Sequence, residues 1–79
     1  MLKIGITDDH ALFRKSLSFL IESFTGMQVI IEAKNGLDLL EQLKNKSIDI
    51  LLLDLQMPKM DGFETCLKIN ELYPKIKIL

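Results

Sequence analysis

Apolar positions along the chain alternate between two rhythms. Leu2, Ile4 and Ile6 fall at every second position of Leu2–Thr7 and predict a first strand, ended by Asp8-Asp9-His10. From His10 to about Phe24 the spacing lengthens to three and four: Phe13, Leu17, Leu20, Ile21 and Phe24 form the inner stripe of a predicted helix, with Arg14, Lys15, Ser18 and Glu22 between them. Thr25-Gly26 closes it, Gly26 serving as a left-handed cap. Met27 to Ala33, β-branched at Val29, Ile30 and Ile31, predicts a second strand, and Lys34-Asn35-Gly36 a turn. Leu37 to Lys46 predicts a short helix burying Leu39, Leu40 and Leu43, with Lys44 and Lys46 at the negative end of its dipole. Ile48 to Asp54 is the third strand. Its run Ile50 to Leu53 has no polar face, which marks a central parallel strand covered on both sides. Leu55 to Asp61 is a loop, because Pro58 cannot continue such a strand. A third helix runs from Gly62 to about Tyr73, with Phe63, Cys66, Leu67 and Ile69 or Asn70 inward, until Pro74 stops it; Lys75 to Leu79 begins a fourth strand.

Strands alternating with single helices, β-α-β-α-β-α-β, imply right-handed crossovers and an α/β, doubly wound parallel sheet. In such a sheet the first and third strands flank a crevice at the carboxyl ends, where ligands bind. That topology brings Asp8, Asp9 and Asp54 together from distant parts of the sequence.

Composition narrows the picture. Seventy-nine residues make one small domain, burying somewhat more than roughly 60% of its unfolded surface. A net charge of -1 leaves no basic footprint for nucleic acid and no attraction to a membrane surface. No apolar run reaches the length of a membrane span, and the N-terminus lacks a secretory pattern. The single cysteine, Cys66, permits no internal disulfide, fits a reducing cytoplasm and reads as a small core residue.

Three carboxylates in one crevice repel one another unless a hard cation neutralises them. Oxygen-only ligands favour Mg²⁺, Mn²⁺ or Ca²⁺ over zinc. With the cation bound, one carboxylate can act as a nucleophile, and carboxylates form aspartyl phosphates. Asp54, at the end of a buried strand, is the candidate. Asp9 alone also suits a helix N-cap, and Asp61-Gly62 suits turn and cap chemistry. His10 reads as a first-turn residue near the site.

The segments Ile6-Thr7-Asp8-Asp9-His10-Ala11-Leu12-Phe13-Arg14-Lys15, Asp49 to Pro58, and Met60-Asp61-Gly62-Phe63-Glu64 resemble the receiver domain of bacterial two-component response regulators. The Asp-Asp-His-x-Leu-Phe-Arg opening is most similar to receivers that precede a LuxR-type helix-turn-helix. The resemblance covers the whole chain and implies a flavodoxin-like fold, whose strand order is that of flavodoxin and the chemotaxis receiver. It implies that Asp54 accepts a phosphoryl group from a sensor histidine kinase. Asp8, Asp9 and Asp54 would hold Mg²⁺ with the backbone carbonyl of Gln56. Such a domain is a signalling partner rather than an enzyme, and cytoplasmic. Residues 1–79 correspond to its N-terminal part. The Ser or Thr that ends the family's fourth strand, the Lys that ends its fifth, and the fourth helix, fifth strand and fifth helix have no counterpart here; Lys59 and Lys75 do not match that Lys.

Two other functions compete. Phosphohydrolases of the haloacid-dehalogenase type also use a strand-end Asp, but resemble one another in a second Asp two residues later, where this chain has Gln56. An interaction module without phosphoryl chemistry is the other. A fourth strand left as an edge, with apolar surface beside it, predicts a homo-oligomer.

Overall fold

The computed structural model describes residues 1–54 and 62–79. Four strands, β1 (Leu2–Thr7), β2 (Met27–Ala33), β3 (Ile50–Leu53) and β4 (Lys77–Ile78), form one parallel sheet in the order β2-β1-β3-β4. Three helices connect them: α1 (Ala11–Glu22), α2 (Gly36–Leu43) and α3 (Gly62–Leu72). The predicted element order and parallel sheet are therefore observed, with β4 at one edge.

The sheet separates two apolar layers. Ile4, Ile6 and Ile21 form one, with Leu17, Val29, Ile50 and Leu52 against it, so α1 covers this face. Ile31, Ala33, Leu39, Leu43, Leu51 and Ile69 belong to the other, under α2 and α3. Alternation along β1 assigns Ile4 and Ile6 to the α1 face and Gly5 and Thr7 to the opposite face. All four are buried, so the strand is covered on both sides.

A register shift interrupts the β1–β2 ladder: Ile4 pairs with Val29, but Gly5 pairs with Ile31. The extra residue, Ile30, forms a bulge. It keeps Ile30 and Ile31 in the α2–α3 layer, which accommodates three consecutive β-branched residues. It also turns Glu32 to the α1 side, where it meets Arg14. A Cβ on Gly5 would come within 2.6 Å of Ile48 Cδ1, so a larger residue here would require the Ile48 side chain to shift.

Local chemistry sets the helix boundaries. Gly26 has the expected left-handed φ of 90°, but α1 ends at Glu22 with Ser23 as its C-cap, so Gly26 serves the turn into β2 and does not cap the helix. Asn35 caps α2, its side chain accepting from Asp38 N at 2.8 Å, while Asp38 Oδ2 accepts from Lys34 N at 3.1 Å. The expected turn at Asn35-Gly36 is thus the start of α2. That helix ends at Leu43, so Lys44 is its C-cap and Lys46 lies beyond it. Neither stands in the last turn; they bond to Glu41 and Gln42 instead.

Three expectations about burial are corrected. Of the predicted inner stripe of α1 only Ile21 is buried; Phe13 and Leu20, and Phe24 beyond the end of the helix, are more than half exposed. The helix packs on β1 and β2, so the edge of its stripe nearest β3 has little to pack against among the described residues. For the same reason Ile50 and Leu52 are only partly covered, and the predicted double burial of β3 holds fully at Leu51 alone. In α3 the inner positions are Gly62, Thr65 and Ile69, not Phe63, Cys66 and Leu67. A buried threonine and a glycine carry no apolar signal, so the pattern pointed to a face one position away.

Candidate functional site

The carboxyl ends of β1 and β3 lie side by side. Thr7 pairs with Leu53, and the next amide, Asp54 N, donates to Thr7 O at 3.0 Å. On the other flank Asp8 N donates to Ala33 O at 3.0 Å. Backbone bonding thus extends one residue past each strand and fixes both acids relative to the sheet. Asp8, Asp9, His10 and Asp54 each offer one ligand atom, and these atoms all lie within 4.8 Å of one another. The expected convergence of Asp8, Asp9 and Asp54 is observed.

Beside these acids a cleft of ≈ 330 Å³ opens between the strand ends, with Asp8 and Asp54 on its polar side and Phe13, Leu17 and Leu52 on its apolar side. Gln56, Met57, Pro58 and Asp61 lie outside the described residues.

The turn from β1 into α1 is held by the acid it carries. Asp8 Oδ1 accepts from His10 N at 2.7 Å, an Asx turn that reverses the chain into the helix. His10, not Asp9, occupies the N-cap position, and its side chain makes no cap bond. This leaves Asp9 turned toward the cluster. The His10 ring has Nδ1 3.2 Å from Asp8 Oδ1 and 3.0 Å from Asp9 Oδ1.

Arg14 braces the turn from within. Its Nη1 donates to Asp8 O at 2.6 Å, and its Nε lies 3.7 Å from Glu32 Oε1, which Lys15 also approaches at 3.8 Å. The Arg14 side chain is only 14% exposed, so the guanidinium ties α1, β2 and the acidic turn together in a poorly hydrated position. Sequence patterning assigned Arg14 merely to the polar face of α1. The bulge that delivers Glu32 to it left no signal in one sequence.

The donor set suits a hard divalent cation. Three carboxylate oxygens clustered at the mouth of a cleft repel one another, and a cation held among them removes that repulsion.

The geometry agrees with what the chain is related to. Residues 4–79 match the response regulator receiver domain, and the chain belongs to that family. It is 42% identical over 62 residues to a protein-glutamate methylesterase/protein-glutamine glutaminase of Oleidesulfovibrio alaskensis, covering 78% of this chain and 17% of that protein. Against the transcriptional regulatory protein LnrK of Bacillus subtilis it is 37% identical over 79 residues, all of this chain and 36% of the relative. Among solved structures it is similar to the response regulator TrrA of Thermotoga maritima in complex with Mg²⁺-BeF (TM-score 0.88, 27% identity, 99% of this chain and 66% of that one). It is also similar to RcsB of Salmonella enterica bound to promoter rprA (TM-score 0.90, 25% identity, 99% and 41%). The chain therefore spans little more than a third of LnrK and less than a fifth of the methylesterase. No described helix is long and apolar enough to cross a membrane.

Proposed function

We propose that this chain is the phosphoacceptor segment of a two-component response regulator, taking a phosphoryl group from a sensor histidine kinase onto Asp54. The observation that carries the reading is the clustering of Asp8, Asp9 and Asp54 donor atoms within 4.8 Å at adjoining strand ends. A carboxylate oxygen of Asp54 attacks phosphorus, the phosphorus–nitrogen bond of the kinase's phosphohistidine breaks, and the imidazole leaves. Asp8 and Asp9, with Asp54 and the Gln56 carbonyl, would hold Mg²⁺, which offsets phosphoryl charge when bound. Arg14 holds the Asp8 backbone in place for that task.

The relation to transcriptional regulators, and the Asp-Asp-His-x-Leu-Phe-Arg opening, support a cytoplasmic regulator whose LuxR-type DNA-binding part lies outside residues 1–79. Incubation with Mg²⁺ and acetyl phosphate should add one phosphoryl group, seen by intact mass and removed by hydroxylamine. No adduct, or one that resists hydroxylamine, contradicts the assignment.

A second property is favoured by the α1 face of the sheet. There a hollow of ≈ 160 Å³ is lined wholly by apolar side chains, among them Ile4, Ile50, Leu52 and Leu79, beside the β4 edge. Exposed apolar surface beside the edge strand of the described sheet favours self-association. Sedimentation should report a mass above that of the monomer as concentration rises; a monomer at every concentration overturns this reading.

A further inference from the structure

We propose that the hollow at the amino-terminal ends of β3 and β4, opposite the acidic cluster, binds an amphiphilic organic anion. The class that fits is an aromatic carboxylate of one or two rings, its ring in the hollow and its charge against Lys46 and Lys75.

Shape is the first ground. The hollow holds ≈ 490 Å³, against ≈ 330 Å³ for the cleft beside the acids. Sites for small organic ligands span about 300–1,000 Å³ and are lined mainly by apolar side chains with a few polar groups. Leu43 at the end of α2, Ile48 ahead of β3 and Ile76 ahead of β4 line it and are buried members of the α2–α3 core layer, so its floor is fixed by the fold. Tyr73 packs against the same layer and adds an aromatic ring to the wall, which favours an offset or edge-on ring as its partner. The turn behind it is held by backbone bonds, Ile76 N to Tyr73 O at 3.1 Å and Lys77 N to Asp49 O at 3.0 Å.

Charge is the second ground. Lys46 and Lys75 line the hollow from two different connections. Lys46 Nζ donates to the neutral Gln42 Oε1 at 3.2 Å, and among the described residues no carboxylate lies within ion-pair distance of either lysine. Lys44 nearby differs, being paired with Glu41 at 3.0 Å. Asp49 also lines the hollow, but its Oδ2 accepts from Lys3 N at 2.8 Å and is committed to β1. Two cations beside an apolar floor complement a carboxylate carried on an apolar body. A small inorganic anion would leave the floor uncovered, and an organic cation would be repelled.

Placement separates this hollow from the cation site. Asp49 and Asp54 stand at opposite ends of one strand, roughly 17 Å apart at about 3.3 Å per residue. A ligand bound here does not touch the acids.

The test titrates the ¹⁵N-labelled 79-residue chain, at one dilute concentration, with naphthoate and with naphthylmethanol, which keeps the rings and lacks the charge. Naphthoate should shift the amides of Ser47, Ile48, Lys75 and Ile76, with a dissociation constant on the order of 1 mM or tighter, and leave residues 7–10 and 53–54 in place. The alcohol should bind on the order of fivefold more weakly, because exposed ion pairs contribute modestly. The double variant Lys46→Gln, Lys75→Gln should lower naphthoate affinity to that of the alcohol while leaving the alcohol's own affinity unchanged, a result that unfolding cannot produce. Asp54→Asn should leave naphthoate binding unchanged. No shift at about tenfold that concentration, equal affinity for acid and alcohol, or indifference to the two lysines overturns the proposal. So do shifts centred on the acids or on the α1 face. Shifts of the same four amides on raising the protein concentration without ligand assign the surface to a second copy and overturn it as well.

Discussion

Asp54→Asn is expected to abolish phosphorylation by acetyl phosphate, leaving the intact mass unchanged where the wild type gains one phosphoryl group. Asparagine is nearly isosteric with aspartate, and the bond that places this residue, Asp54 N to Thr7 O, belongs to the backbone. The substitution therefore preserves position while removing the nucleophilic oxygen. Asp8 and Asp9 remain carboxylates nearby, so an adduct that persisted in the variant would show that one of them, or another residue, is the acceptor. The same change removes one of three anionic donors. Cation binding stabilises the fold by about 2.7 kcal/mol at a hundredfold excess over the dissociation constant, so the rise in melting temperature on adding Mg²⁺ should shrink in the variant. An undiminished rise would mean that Asp54 is not among the ligands.

Leu51→Ala is expected to unfold the chain or bring it close to unfolding. Leu51 is completely buried in the middle of β3, between Gly5 on β1 and Ile78 on β4, in the layer that α2 and α3 close. Truncating such a leucine costs about 2–5 kcal/mol. A chain of this size has roughly 4–12 kcal/mol in total, at about 0.05–0.15 kcal/mol per residue. The urea midpoint should fall by a large fraction of its value. Leu12→Ala, at a residue 82% exposed on α1, should shift stability by less than about 0.5 kcal/mol. Similar midpoints for the two variants would contradict the assignment of the core.

What the sequence revealed and what it hid follow from the same physics. Alternation in β1, β-branched content in β2, the unbroken apolar run of β3 and helical spacing between them identified the described elements, because each has at least one apolar face. The meeting of Asp8, Asp9 and Asp54 was legible too, since a parallel sheet built by right-handed crossovers leaves few arrangements. The inner face of α3 was not, because Gly62 and Thr65 are buried without being apolar. Nor was the exposure of Phe13, Leu20 and Phe24: periodicity shows which side of a helix is apolar, not how much of it has a partner. The bulge at Ile30 is invisible in a run of β-branched residues, yet it decides that Glu32 meets Arg14. His10 looked like a neighbour of the site, and only coordinates place its Nδ1 among the carboxylate oxygens.

The central claim is that acids from two strand ends share one cation, and titration with Mn²⁺ followed by amide NMR tests it most directly. A paramagnetic ion held among Asp8, Asp9 and Asp54 should broaden the resonances of residues 7–10 and 53–54 together, saturating at one ion per chain and reversed by excess of a diamagnetic divalent ion. Broadening of one stretch without the other, or of the two at different Mn²⁺ concentrations, would contradict the account.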